Sequence, residues 1–305
     1  MTVTDEPFPR GPCFAVDLSD AAVWVGDTGV LRRVARGSCS QQDFALGPGV
    51  LPRSLALSGN GDLLMLLDIE SSAIDHSSSP WLPPASNGSF RAVARFRDGD
   101  AQTVVQIPYG PSIADALVDT TQGEFLGPHS EGAAVYESDG VLREVFNAAR
   151  TQHHPAQASM SEDGTQIALT HDEGAVRIID RSNHKERVAA TGFSQIHELE
   201  FHSTGALLIR GCHESEGWGL FREQSEALEH ISKDVRASLA PDGKRVAELS
   251  RRLVIKNIAE DNVEFDLPLP ALGMAKNGRA VFVGERSVIV QTDAHTLGEV
   301  EYRTE

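Results

Sequence analysis

Seven times along this chain a short turn built on glycine or aspartate stands between two apolar runs. Repetition at that period limits the fold more than any other feature of a sequence. The turns are Ser19-Asp20, Gly59-Asn60-Gly61, Thr121-Gln122-Gly123, Glu162-Asp163-Gly164, Ser203-Thr204-Gly205, Pro241-Asp242-Gly243 and Lys276-Asn277-Gly278. Their key positions, 20, 61, 123, 164, 205, 243 and 278, lie 41, 62, 41, 41, 38 and 35 residues apart. Asn-Gly and Asp-Gly tolerate the positive φ angles of a tight hairpin, so each turn marks strand–turn–strand.

The flanks repeat as well. A short run such as Ser54-Leu55-Ala56-Leu57 or Ala237-Ser238-Leu239 leads into each turn, and a second strand such as Leu63 to Leu67 or Arg245 to Leu249 follows it. A third strand comes next, as in Ala133 to Tyr136 or Ala175 to Ile179, and a fourth closes the unit, as in Val141 to Phe146 or Val263 to Leu267. Four short strands per forty-odd residues is the content of one propeller blade. The expected fold is therefore all-β: a single seven-bladed β-propeller over residues 1–305, with four antiparallel strands per blade. The expected blades are 11–50, 51–108, 109–150, 151–192, 193–232, 233–268 and 269–305. No helical period of 3.6 survives the Gly and Asn punctuation. A ring also answers a physical need, because a unit this small exposes apolar surface on both faces and hides it only between two neighbours.

The segment Ser161-Glu-Asp-Gly-Thr-Gln-Ile-Ala-Leu-Thr-His-Asp-Glu-Gly-Ala-Val-Arg-Ile-Ile-Asp180 resembles a WD40 repeat. It has the Ser-x-Asp-Gly hairpin, an apolar second strand, and Val-Arg-Ile-Ile-Asp where that family favours Val-x-Ile-Trp-Asp. Ala240-Pro-Asp-Gly-Lys244 is similar to the same hairpin in another blade. The sequence departs from the family in having no Trp-Asp dipeptide and no Gly-His pair leading into a blade. The resemblance is closest over the fourth to sixth units, and it implies a WD40-like scaffold or adaptor without chemistry of its own.

One interval breaks the spacing. The 62-residue step carries about 21 extra residues, Asp68 to Ser89, rich in Ser, Pro, Asn and Gly. Structureless loops of more than about 12–15 residues in a compact domain are uncommon, and they are functional or disordered. If the first strand of each blade lines the channel, links between second and third strands share a rim with links between blades. That rim would carry Asp75, His76, Trp81 and Leu82 of the insertion together with Tyr109, His153, His154 and Trp218. Trp81 and Trp218 are expected in loops there. Tryptophan and tyrosine concentrate at binding hot spots, so these eight residues are the candidate partner-binding set. The alternative for Trp81 is that it folds the loop down onto its own blade, and the tip Asp75-His76-Ser77 is also a candidate cleavage or modification point.

Lys and Arg number 27 against 44 Asp and Glu, a formal charge of −17. Phosphate backbones select basic patches, and the longest basic clusters here are pairs such as Arg32-Arg33, so nucleic acid is not an expected ligand. The first ten residues lack a basic start and an apolar core, and no stretch reaches 18 apolar residues, so neither a leader nor a membrane span is expected. Cys13, Cys39 and Cys212 are odd in number without metal-type spacing, which fits buried thiols in a reducing, cytoplasmic setting. The expected molecule is an acidic, cytoplasmic protein, monomeric on its own, that binds protein partners.

The sequence carries no catalytic motif. His153-His154 with His171 lack a further ligand at a recognisable spacing, and adjacent histidines on a strand point to opposite faces. His197, His202 and His213 scatter across one unit and read as core or surface histidines. Asp172-Glu173 sits at an expected hairpin tip, where solvation is the default. No metal or cofactor is expected. The competing expectation from another class is a small-molecule hydrolase, similar to the metal-dependent lactonase propellers, with carboxylates converging on an ion at the central channel.

Overall fold

The computed structural model describes residues 13–17, 22–35, 40–57, 62–74, 77, 79–83, 88–108, 117–147, 156–171, 174–212, 216–221, 228–232, 237–250, 252–268, 279–291 and 297–303. Among these the strands pair into seven separate antiparallel sheets, each built from strands consecutive in the chain. The first sheet holds Cys13–Asp17 (β1), Ala22–Asp27 (β2), Val30–Ala35 (β3) and Gln41–Ala45 (β4). The second holds Val50–Leu57 (β5), Leu63–Ile69 (β6), Phe90–Arg97 (β7) and Asp100–Pro108 (β8). Val118–Asp119 (β9), Glu124–His129 (β10), Gly132–Glu137 (β11) and Leu142–Asn147 (β12) make the third. The fourth is Ala158–Met160 (β13), Gln166–His171 (β14), Ala175–Asp180 (β15) and Lys185–Ala190 (β16). Gln195–Phe201 (β17), Leu207–Cys212 (β18), Glu216–Phe221 (β19) and Glu229–Ser232 (β20) form the fifth, and Ala237–Leu239 (β21), Arg245–Leu249 (β22), Arg252–Asn257 (β23) and Asn262–Pro268 (β24) the sixth. The last has three described strands, Arg279–Gly284 (β25), Ser287–Gln291 (β26) and Leu297–Glu301 (β27).

Alternation along the strands gives every sheet two apolar faces. In β6 the residues Leu63, Met65, Leu67 and Ile69 join a core with Leu31, Leu46 and Cys13 of the first sheet, while Leu64 and Leu66 join Phe125, Ala134 and Tyr136 of the third. All seven residues of β6 are buried, which is why it reads as an unbroken apolar run. The pattern continues: Leu126 and Val135 pack on Met160 and Ile167, and Ala168 and Ile178 on Leu207 and Ile209. Leu208 then meets Leu239, and Leu253 and Ile255 meet Phe282 and Val288. Finally Val23 and Val25 of the first sheet pack with Val283 and Ile289 of the last.

Four of the turns read from sequence are turns with glycine at positive φ: Gly123 (77°), Gly164 (71°), Gly205 (79°) and Gly243 (67°). The Ser19-Asp20, Gly59-Asn60-Gly61 and Lys276-Asn277-Gly278 turns lie outside the described residues. One strand boundary differs from expectation. β6 runs on to Ile69, so the long connection begins at Glu70, and Asp68 is a buried strand residue whose carboxylate pairs with Arg53 and, at 2.9 Å, with Arg91.

Candidate functional site

The insertion between β6 and β7 is fastened at its start and again at Ser79 to the link that joins the first sheet to the second. Its start is a short 3-10 turn, Ser71–Ala73. Glu70 N–H donates to the Gly49 carbonyl (2.9 Å), and the Ala73 N–H donates to the Glu70 carbonyl (3.0 Å). Gly49 is needed there: its φ is +75°, and a Cβ would lie 2.7 Å from Ala73 Cβ and 2.9 Å from the Glu70 carbonyl oxygen. Further on, buried Ser79 donates its hydroxyl to the Leu46 carbonyl (2.7 Å), Leu82 N–H donates to Ser79 carbonyl (3.1 Å), and Thr103 Oγ1 on β8 donates to the Trp81 carbonyl (3.1 Å).

Leu82, 3% exposed, belongs to the core between the first two sheets, and Trp81 and Ile74 pack against that core half-buried. Beneath them Trp24, Phe44 and Phe96 make an aromatic cluster with ring centroids 4.8–5.9 Å apart. The insertion therefore lies down over the wedge between these two sheets. Leu82 holds it there and is not available to meet a partner, which corrects its place in the candidate set. Within the described part, Ser77 and Pro80 face solvent, and Trp81 presents part of its ring.

The other candidates separate. Trp218 is in β19, opposite Arg210 of β18 and Ser232 of β20, and not in a loop as expected. The signal for this was present, because Glu216–Phe221 alternates glycine with larger residues as a third strand should. Asp75, His76, Tyr109, His153 and His154 lie outside the described residues, as do Asp172 and Glu173. His202 is local to its turn, with Nδ1 2.9 Å from Thr204 Oγ1. His197 is not isolated: its Nε2 stands 3.3 Å from Cys212 Sγ. Sequence reasoning missed that pair, since 15 residues and a hairpin separate its members.

Asp163 acts as a hairpin clasp. Its carboxylate accepts from Ser161 Oγ (2.6 Å), Thr165 N–H (3.0 Å) and Thr165 Oγ1 (2.8 Å), and the Ser161 bond leads in holding its pKa below the usual carboxylate range. Arginines staple neighbouring sheets: Arg181 meets Glu124 (3.0 Å) and Glu144 (3.2 Å), and Arg245 meets Glu264 (3.0 Å) and the Glu285 carbonyl (3.0 Å). Among the described residues no three His, Cys, Asp or Glu side chains gather closely enough to hold a metal ion, and no helix is long and apolar enough to cross a membrane.

No family model matches the chain, and no curated protein matches it in sequence. Solved structures do match in shape. The Cps50 (Swd1) β-propeller domain of Myceliophteria thermophila is 10% identical with a TM-score of 0.65, covering 96% of this chain and 98% of its own. A KlHsv2 variant with loop 6CD replaced by a Gly-Ser linker is 6% identical with a TM-score of 0.65, covering 97% and 94%. Virginiamycin B lyase from Staphylococcus aureus is 12% identical with a TM-score of 0.68, covering 96% of each chain. These likenesses establish a β-propeller and nothing finer.

Proposed function

We propose that this β-propeller is a non-catalytic, WD40-like platform that binds a protein partner through the rim carrying the insertion. In this reading the ring has seven blades, bounded as the turn spacing sets them, and works as one cytoplasmic domain. Support for the count comes from the seven sheets and from the Val23–Val25 contact with Val283 and Ile289, which joins the first sheet to the last. The last sheet has three strands among the described residues, and residues 269–278 lie outside them. Because virginiamycin B lyase shares the shape, fold alone assigns no chemistry.

The observation that carries the reading is the fastening of the insertion. A segment held by Gly49, Leu46, Thr103 and the Leu82 side chain exposes Ser77 and Pro80 beside a fixed base. Preorganising a contact loop lowers the entropy lost on binding. Asp75, His76, the exposed part of Trp81, Tyr109, His153 and His154 are the proposed contacts. The test is affinity capture with the full chain and with a variant whose residues 75–78 are replaced by Gly-Ser, leaving Ser79 to Leu82 intact. The expected result is a protein retained at near-stoichiometric level by the parent and lost by the variant, at unchanged unfolding temperature. Equal retention by both, or nothing retained by the parent, would overturn the proposal.

A further inference from the structure

Between the fifth and sixth sheets the described apolar core is Ala206, Leu208 and Leu239, flanked by half-buried Ile231, Ala237 and Ile258. Along β18 the same face continues past Leu208 through Arg210 to Cys212, and the facing side of the sixth sheet carries Glu248, opposite Ala237, and Lys256, opposite Val246. Arg210 Nε pairs with Glu198 (3.1 Å) and Lys256 Nζ with Glu248 (2.6 Å). At the end of this polar strip sits the thiol of Cys212, half-buried, 3.3 Å from His197 Nε2 and 3.7 Å from Gln195 Oε1. His197 reaches it because the β17–β18 register slips between Ile196 and Glu198, which makes His197 the bulged residue. A bulge re-aims a side chain that the regular pleat would point elsewhere.

We propose that Cys212, with His197 as its proton acceptor, is a thiol-modification site that forms a mixed disulfide with a low-molecular-weight disulfide. Imidazole takes the thiol proton, and the thiolate is the nucleophile. It attacks one sulfur of the disulfide, the new S–S bond forms as the old one breaks, and the departing thiolate takes up a proton. No further oxidant is needed. The described charged groups on this face come from the packed elements: Glu198 and Glu200 on β17, Arg210 on β18, and Glu248 and Lys256 on the facing side of the sixth sheet. On the other side β13 brings no ionisable side chain, and His171 of β14 shares the face of Ile167 and Leu169, turned toward the third sheet. Cys13 supplies the contrast. It is 4% exposed inside the first core, its Sγ 3.9 Å from the Gly26 carbonyl.

The experiment reads each cysteine on its own peptide by mass spectrometry. Alkylation by iodoacetamide between about pH 8 and about pH 6.5 slows roughly twentyfold for an isolated thiol with a pKa of about 8.5. Cys212 is expected to slow less than about threefold over that range, with the steep dependence returning in His197→Gln. Oxidised glutathione is expected on Cys212 and not on Cys13. Cys13 also reports folding of the variant, since it stays unreactive only while its core is intact. If His197→Gln unfolds, the profile of the parent decides alone. A twentyfold fall at Cys212 in the parent, a profile identical in a folded variant, or glutathionylation no faster than in denatured chain would overturn the assignment.

Discussion

Leu82→Ala tests whether the insertion is held in the way the structure implies. The side chain is 3% exposed and inside the core between the first two sheets. Removing it forfeits three carbons of buried apolar contact, about 2 kcal/mol at about 0.8 kcal/mol per methylene, plus a cavity contribution. Buried Leu→Ala changes cost about 2–5 kcal/mol, and an insertion tied chiefly at Ser79 and Glu70 can collapse partly into the gap, so about 2–3 kcal/mol is expected. If the molecule unfolds as one unit, an unfolding entropy of about 2.1 cal/mol/K per residue over 305 residues turns that into a fall of about 3–5 °C in Tm. If the insertion opens first, the same free energy appears as an increase of roughly thirtyfold or more in the rate of proteolysis within residues 75–78. Calorimetry and timed digestion therefore bracket the two cases. A Tm within about 0.5 °C of the parent together with an unchanged cleavage rate would refute the anchoring argument.

Two other expectations concern the frame. Gly174 has φ +74°, and a side chain there would run into the Phe193 carbonyl, so Gly174→Ala should destabilise the fourth sheet by about 3 kcal/mol or more, read by denaturant midpoint, whereas Gly205→Ala meets no atom within 4 Å and should cost only its φ strain, about 1–2 kcal/mol. Tyr136 is buried, donates its hydroxyl to the Pro128 carbonyl (2.8 Å), and has its pKa pushed up to about 12 by desolvation. A pKa raised by folding contributes stability that is full below the unfolded value near 10 and lost as pH rises toward the folded one, so Tyr136→Phe should flatten the decline in Tm between about pH 10 and 12.

What could be read from the sequence follows the range of the interactions. The hairpins were legible because Asp163-Gly164 and Asp242-Gly243 specify their turns within three or four residues, and the β22 limits, Arg245 to Leu249, agree with the structure to the residue. The end of β6 was not, because an aspartate after Leu67 reads as loop, and only Arg53 and Arg91, 15 and 23 positions away, make its burial tolerable. The destiny of the insertion was equally hidden: Trp81 and Leu82 look alike as loop hydrophobics, and only the folded core that includes Leu31, Leu46 and Phe90 takes in the leucine and leaves the tryptophan half-buried against it. The His197–Cys212 pair depends on a bulge, which no turn residue announces.

The insertion has a second physical consequence through β8. An outer strand offers its edge to any other strand, and proteins blunt that edge with charge, bulges or a covering loop. Most outer strands here use charge: β16 carries Lys185, Glu186 and Arg187, and β12 carries Arg143 and Glu144 with a register slip beside Val135 and Tyr136. β8 has seven uncharged residues in a row, Ala101 to Ile107, rich in β-branched side chains. Its protection is a register slip opposite Val93 and Ala94, and the insertion itself, whose Trp81 carbonyl takes the Thr103 hydroxyl. The same segment that presents a tip for a partner thus leans on the edge least able to defend itself. That double duty favours a monomer in the proposed reading, and it gives a physical reason for fastening the base of the insertion by four separate contacts.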